Sequence, residues 1–278
     1  AEIFQEIIRK FKDSDVAELV YIDLGNAYLN MGKPEKAKYT WLDFLNVFPE
    51  SEYQATICLY LGGLSEQEGD FNEAEKYYRQ AAHTYHDSRN AFEAYLSLGH
   101  VYWQQDKLEA ALEEFKKVSE FEGPLAEKAR LYPAKIYVEM GHYEQAHAIL
   151  DEVIEKASKD IRKVALREKA LLLRAEQRYA EAAAVFRRTI DAGLDTAQIR
   201  FWRALALEKA GKSEDARGEY FSVIYRFDDR AYRIKAYFRI AKLFEEEGKI
   251  EEAKKIYEKI IALDVEESKV ARIRMSEL

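Results

Sequence analysis

The chain has 278 residues, 48% hydrophobic and 34% charged, with 12 Gly, 4 Pro and a formal net charge of −8. So little turn chemistry argues against an all-β or α/β design, while the apolar share suffices for a continuous core, so helices are favoured. No run of about 18 apolar residues is present to cross a membrane, and the single Cys58 cannot close an intramolecular disulfide, which leaves reducing and oxidising compartments open.

In chain order, the opening Ala1-Glu2-Ile3-Phe4 has neither an initiator Met nor a basic-then-apolar leader, and reads as a segment cropped or processed from a longer protein. Residues 1–12 place Phe4, Ile7, Ile8 and Phe11 on one helical stripe. From residue 17 the pattern becomes periodic. An Ala recurs at Ala37, Ala74, Ala111, Ala146, Ala182, Ala216 and Ala253, in steps of 37, 37, 35, 36, 34 and 37 residues. Four residues after each comes a large side chain: Trp41, Tyr78, Phe115, Leu150, Phe186, Tyr220 and Tyr257. Three further on stand Phe44, Ala81, Val118, Val153, Thr189, Val223 and Ile260, which completes one face of an α-helix.

Upstream of each Ala a second helical segment carries a small residue, namely Gly25, Gly62, Gly99, Ala134, Ala170, Ala204 and Ala241. Most copies then reach a turn Gly, at Gly32, Gly69, Gly141, Gly211 and Gly248; the fifth copy uses Gln177-Arg178 instead. Each repeat is therefore predicted as helix, tight turn, helix, with small residues letting the paired backbones approach. Pro34 suits the first position of a helix. Pro133 falls inside the expected first helix of the fourth repeat and predicts a kink or late start at Leu131 to Ala134. Phe4 and Ile7 stand 37 residues before Trp41 and Phe44, so residues 1–12 read as the second half of an earlier repeat. Residues 266–278, with Val270, Ala271 and Met275, read as a terminal cap or the first helix of a further repeat.

Small residues at two helix crossings, an aromatic in the second helix and Pro49 after it resemble the tetratricopeptide repeat family over residues 17–265, as seven copies. The resemblance implies an all-α, right-handed solenoid of about fifteen helices, with a half repeat at each end, that binds a protein or peptide. First helices would line its concave side, and by phase the groove includes Asn26, Leu96, His100, Trp103, Lys135, Val138, Arg167, Arg174, Phe201 and Lys242. Trp103 is singled out as an aromatic anchor, with packing in the inter-helix core as the plainer reading. Relatives that grip acidic chaperone C-termini use a Lys and an Asn on the first repeat and further cations on the next two. Here Asn26 matches, but Ile22 replaces the Lys, and Glu93, Leu96 and His100 replace the cations, so that clamp is not expected.

No catalytic residue, metal or cofactor is expected. His142 and His147 flank Glu144 at a five-residue spacing unsuited to a zinc helix, and His83 with His86 supplies only two ligands. No Gly-rich phosphate loop is present, and Cys58 between Ile57 and Leu59 reads as a buried small hydrophobe. A pentatricopeptide-like RNA-binding solenoid is the rival of similar period; the net charge of −8 argues against it, since phosphate tracks are cationic. A regulatory repeat domain of a larger enzyme or signalling protein is a further alternative. Charge is uneven: residues 1–155 carry 15 Lys and Arg against 29 Asp and Glu, residues 156–203 carry 12 against 6, and residues 204–278 carry 16 of each. The basic island from Lys156 to Arg203 reads either as a solvated face or as a dock for an acidic partner segment. The phrases Val47-Phe48-Pro49-Glu50-Ser51-Glu52-Tyr53 and Thr84-Tyr85-His86-Asp87-Ser88 resemble repeats of bacterial cell-envelope proteins of the Tol-Pal accessory and outer-membrane-assembly lipoprotein kind. That resemblance implies a periplasmic adaptor without membrane insertion, a cytoplasmic scaffold being the alternative. The stripe Phe4, Ile7, Ile8 and Phe11 would seek cover, including from a second copy.

Overall fold

A computed structural model of the chain describes residues 3, 4, 6, 15–84 and 89–278, and the described residues are helices joined by turns. The chain divides into two bodies, Ala1–Met140 and Gly141–Leu278, with the boundary in the turn of the fourth repeat. The first body holds α1 (Asp15–Asn30), α2 (Pro34–Val47), α3 (Gln54–Gln67), α4 (Phe71–Thr84), α5 (Arg89–Gln104), α6 (Leu108–Val118), α7 (Pro124–Ala129) and α8 (Tyr132–Glu139). The second holds α9 (Tyr143–Lys156), α10 (Lys159–Ala175), α11 (Tyr179–Asp191), α12 (Ala197–Lys209), α13 (Ser213–Arg226), α14 (Arg230–Glu246), α15 (Ile250–Ala262) and α16 (Ser268–Glu277). Within each body consecutive helices pack in antiparallel-hairpin order, and first helices of adjacent repeats also meet, α3 on α5 and α12 on α14.

All seven periodic alanines are fully buried, and so are the large side chains four residues on, from Trp41 to Tyr257. The first-helix glycines are required by what faces them. A Cβ on Gly62 would lie 2.6 Å from the Tyr78 ring, and one on Gly99 2.6 Å from the Phe115 ring. The aromatic of the second helix therefore lies directly on the small residue of the first, and the pair sets how closely the two helices approach.

The turn is equally regular. Its last residue sits at positive φ in every repeat, with Gly32 at 66°, Asp106 at 60° and Gln177 at 62° among them. The following amide reaches back to the last turn of the first helix, as Lys33 N–H to Tyr28 O at 2.9 Å, Lys107 to Tyr102 at 2.9 Å and Arg178 to Leu173 at 2.9 Å. Together with Gly32 N–H to Leu29 O at 2.9 Å, this is the Schellman closure that satisfies orphan carbonyls at a helix end. Asp106 and Gln177 adopt it without the glycine that makes a left-handed conformation inexpensive.

Pro133 acts as expected. The first helix of the fourth repeat is broken between Ala129 and Tyr132, and α8 begins with the Pro in its first turn, where no amide donor is missed. At the N-terminal end Phe4 packs against the core of the first body while Ile3 is exposed. Ile7, Ile8 and Phe11 lie outside the described residues, as does the phrase Tyr85 to Ser88.

Candidate functional site

The groove residues expected from phase fall into two groups, one in each body. In the first body, His100, Trp103 and Tyr132 form a half-buried cluster beside the buried Phe115. The His100 and Tyr132 ring centroids are 4.7 Å apart, and Trp103 lies 6.3 Å from Tyr132 and 6.4 Å from Phe115. The Trp103 indole N–H donates to Glu139 Oε2 at 2.6 Å, and Lys135 stands 6.0 Å over the Tyr132 ring. Leu96 packs at the edge of the same core, and Asn26 and Val138 are half-buried. Trp103 is therefore held on the rim of the core by α8, not free of it. Burial pushes the His100 imidazole below its ordinary value, with the Glu66 charge opposing that shift and the Lys135 charge adding to it.

In the same body a cleft opens between α3 and α5, with Tyr78 of α4 in its lining, formed by Thr56, Leu59, Tyr60, Tyr78, Arg89, Asn90, Glu93 and Ser97. Asn90 donates to Thr56 Oγ1 at 3.2 Å across it, and Arg89 pairs with Glu93 at 2.9 Å. Of these residues Tyr78 and Leu59 were read from the sequence as core and Glu93 as a replaced clamp cation, whereas the others escaped notice because polar side chains on an outer helix face carry no periodic signal.

In the second body Arg167 pairs with the adjacent Glu168, and the Arg174 guanidinium lies 5.4 Å over the Trp202 ring. Phe201 is wedged between Tyr220 and Tyr232 at 5.5 and 5.4 Å, and Lys242 is exposed, 3.3 Å from Glu246. The basic island is largely neutralised in place. Lys156, Lys163, Arg167, Lys169, Arg178, Arg187, Arg200 and Arg203 all find carboxylates. Several of those acids, Asp151, Glu152 and Glu219, lie outside the island in sequence. The Arg200 guanidinium is nearly buried between Asp195, at 2.6 and 3.0 Å, and Glu219 at 3.1 Å, and it holds the Asp195 carboxyl below its usual range.

A further regularity escaped the sequence. Where the second helix carries Tyr, its hydroxyl donates to a glutamate twelve residues earlier: Tyr78 to Glu66 at 2.9 Å, Tyr220 to Glu208 at 2.8 Å, Tyr257 to Glu245 at 2.5 Å. Burial, then these glutamates, push the three phenols up. Where that residue is Phe115 or Phe186 there is no hydroxyl to satisfy, and the same register holds Trp103 and Arg174. The signal was present as a co-varying pair, disguised as ordinary surface glutamates.

Residues considered for chemistry are otherwise engaged. Cys58 is buried and its thiol is pushed up to about 12 by burial. His147 sits 2.6 Å from Glu176. His86 lies outside the described residues, and among the described residues no three His, Cys, Asp or Glu converge as metal ligands.

A family model described as a tetratricopeptide repeat matches residues 64–123, 134–193 and 167–232, and further models of the same description match 20–51 and 234–264. The chain belongs to the tetratricopeptide repeat family. Its fold is accordingly all-α and built of helix-turn-helix repeats of this family. A tetratricopeptide repeat protein from Parabacteroides merdae is similar at a TM-score of 0.55 and 17% identity, covering 99% of this chain and 98% of that one. PilW, a type IV pilus biogenesis factor, is similar at 0.56 and 15%, covering 79% and 98%. Pseudomonas aeruginosa pilF is similar at 0.53 and 18%, covering 78% and 95%. These identities speak for the fold alone. The comparison with curated proteins gave no match.

Proposed function

We propose that this tetratricopeptide repeat chain is a non-enzymatic scaffold that holds a protein or peptide partner against the first-helix faces of its repeats. The observation that carries the reading is the set of half-buried aromatics on those faces. Trp103 and Tyr132 in the first body, and Phe201 and Trp202 in the second, pack on their neighbours yet keep part of each ring exposed. Such rigid, partly desolvated rings are the residues that dominate binding interfaces. The net charge of −8 favours a protein over a nucleic-acid ligand. Among the described residues no helix is long and apolar enough to cross a membrane.

An acidic partner segment fits the cations of the second body that keep no carboxylate among the described residues, and the phrase Val47 to Tyr53 supports a place in the bacterial cell envelope. Self-association through residues 1–12 belongs to the same reading, and Phe4→Asp with Ile8→Asp should then abolish a concentration-dependent dimer. The test of the scaffold is affinity capture from extract of the native cell. The wild type is compared with Trp103→Ala and Phe201→Asp variants of matched helicity, with proteins identified by mass spectrometry. Specific loss of one captured protein in the variants supports the reading; a captured set indifferent to both changes refutes it.

A further inference from the structure

We propose that Arg174, stacked on Trp202, is a receptor for a carboxylate side chain of a partner's acidic segment. The inference rests on the scaffold reading above and assigns it one anchoring contact. Arg174 occupies the register where Glu208 sits one repeat later, and Trp202 the register of Arg239. In that later repeat the position is internally closed: Glu208 accepts from Tyr220 at 2.8 Å and from Arg239 Nε at 2.9 Å. In the Arg174 repeat the same position is open. Phe186 offers no hydroxyl, and the guanidinium meets the face of an indole, which takes none of its N–H bonds. Phe186 in turn backs the Trp202 ring at 6.2 Å, so the platform under the guanidinium is fixed.

Eight neighbouring cations of the basic island have found carboxylates, and Arg174 has none among the described residues, although it is half-buried. A stacked guanidinium keeps a planar fork of donors that matches a carboxylate at two points. The pre-ordered stack lowers the entropy lost on binding. Lys209, exposed at the end of α12 and without an ion pair among the described residues, lines a cleft with Gln177 to Glu181 just beyond the end of α10 and adds positive charge there. The occupant that fits is an extended segment bearing several Asp or Glu side chains.

The test uses an acetylated, amidated hexaglutamate peptide as probe and the indole N–H resonance of Trp202 as readout, in the full chain. The expected result is a Trp202 shift that saturates by about a millimolar. The affinity should fall about tenfold or more in Arg174→Gln and by less in Arg174→Lys, which keeps the charge but loses the fork. Arg188→Gln, at another island cation without a carboxylate among the described residues, should change it far less. The proposal is overturned by an absent shift, by equal losses in Arg174→Gln and Arg188→Gln, or by an equal response to hexaglutamine amide. A response only to hexaglutamine with a free C-terminus would transfer the site to a terminal carboxylate and also overturn it. Capture of a partner that depends on Trp103 and Phe201 but not on Arg174 would sink this contact and leave the scaffold standing. A hexaglutamate response lost in Arg174→Gln, with capture indifferent to Trp103 and Phe201, would do the reverse.

Discussion

Adding one methyl group at Gly25 tests the packing rule at its tightest point. An ideal Cβ there would lie 2.0 Å from Trp41 Nε1, 2.4 Å from Cε2 and 2.8 Å from Cδ1, where comfortable contacts begin near about 3.5 Å. The indole has to retreat by about 1.5 Å to restore that separation, yet Trp41 is fully buried and backed by the Tyr60 ring at 5.1 Å. Overpacking of this kind costs about 3 kcal/mol, against which Ala gains about 1 kcal/mol over Gly as a helix former. Gly25→Ala should therefore lose about 2 kcal/mol, read as a fall of about 4–8 °C in the melting temperature of the first transition. Gly63→Ala is the control: its Cβ meets only the Tyr78 hydroxyl at 3.7 Å, so it should gain about 1 kcal/mol. Trp41→Leu combined with Gly25→Ala should cost less than the sum of the two single changes, because the smaller side chain admits the methyl. Thermal melts followed by circular dichroism measure the wild type and all four variants. A Gly25→Ala variant as stable as Gly63→Ala would refute the argument that ring and glycine set the helix spacing.

The remaining expectations address turns, pairing and charge. Gln177→Gly should stabilise by about 0.5–1 kcal/mol in urea unfolding, and Asp106→Gly by less, since Asp tolerates the left-handed region better than Gln; equal losses in both would contradict the turn assignment. Phe186→Tyr places a buried hydroxyl where no glutamate waits and should cost about 1–3 kcal/mol, recovered at least in part by adding Arg174→Glu. If the double variant melts no higher than Phe186→Tyr alone, the tyrosine–glutamate register is coincidental. The folded Asp195 carboxyl lies below its unfolded value because Arg200 binds it, so its contribution is present above the unfolded pKa of about 3.9 and lost as pH falls through it towards the folded value. Asp195→Asn should thus flatten that part of the acid-melting curve between about pH 5 and 3, and a slope identical to wild type would exclude Asp195 as its source. Trp103→Ala should destabilise the first body by about 3 kcal/mol as well as weaken binding, because the indole packs on Phe115 and Tyr132; unchanged melting would return it to a free surface anchor.

Much of the fold was legible because helix packing imposes a phase. A buried Ala, an aromatic one turn later and a small residue on the facing helix must recur at fixed spacing, and they do from Ala37 to Ala253. The Pro133 break was legible for a local reason, the ring's conflict with a continuing helix. The functional face was less so. Phase placed Trp103 and Phe201 on first helices, yet it could not show that each is half-buried and held by partners from the next repeat. Composition made residues 156–203 a basic island, but an ion pair is a relation between residues far apart in sequence; Lys169 is met by Asp151 and Arg203 by Glu219. The left-handed conformation at Asp106 and Gln177 was hidden because glycine, the usual signal, is absent there, although the period itself placed a turn at Gln177-Arg178.

The Schellman turn fixes more than the end of a helix. From the small residue to the turn the chain runs 25 to 32, 62 to 69, 99 to 106, 134 to 141, 170 to 177, 204 to 211 and 241 to 248, and from the turn to the periodic Ala 32 to 37, 69 to 74 and so on without exception. All the unevenness of the period is confined to the joints after the second helices. An extra residue inside a hairpin would rotate one helix by about 100° and carry its Ala off the seam, whereas an extra residue at a joint moves one finished hairpin against the next. Within each body the hairpins are thus fixed links with adjustable couplings, and inherited or engineered insertions have only the couplings in which to accumulate.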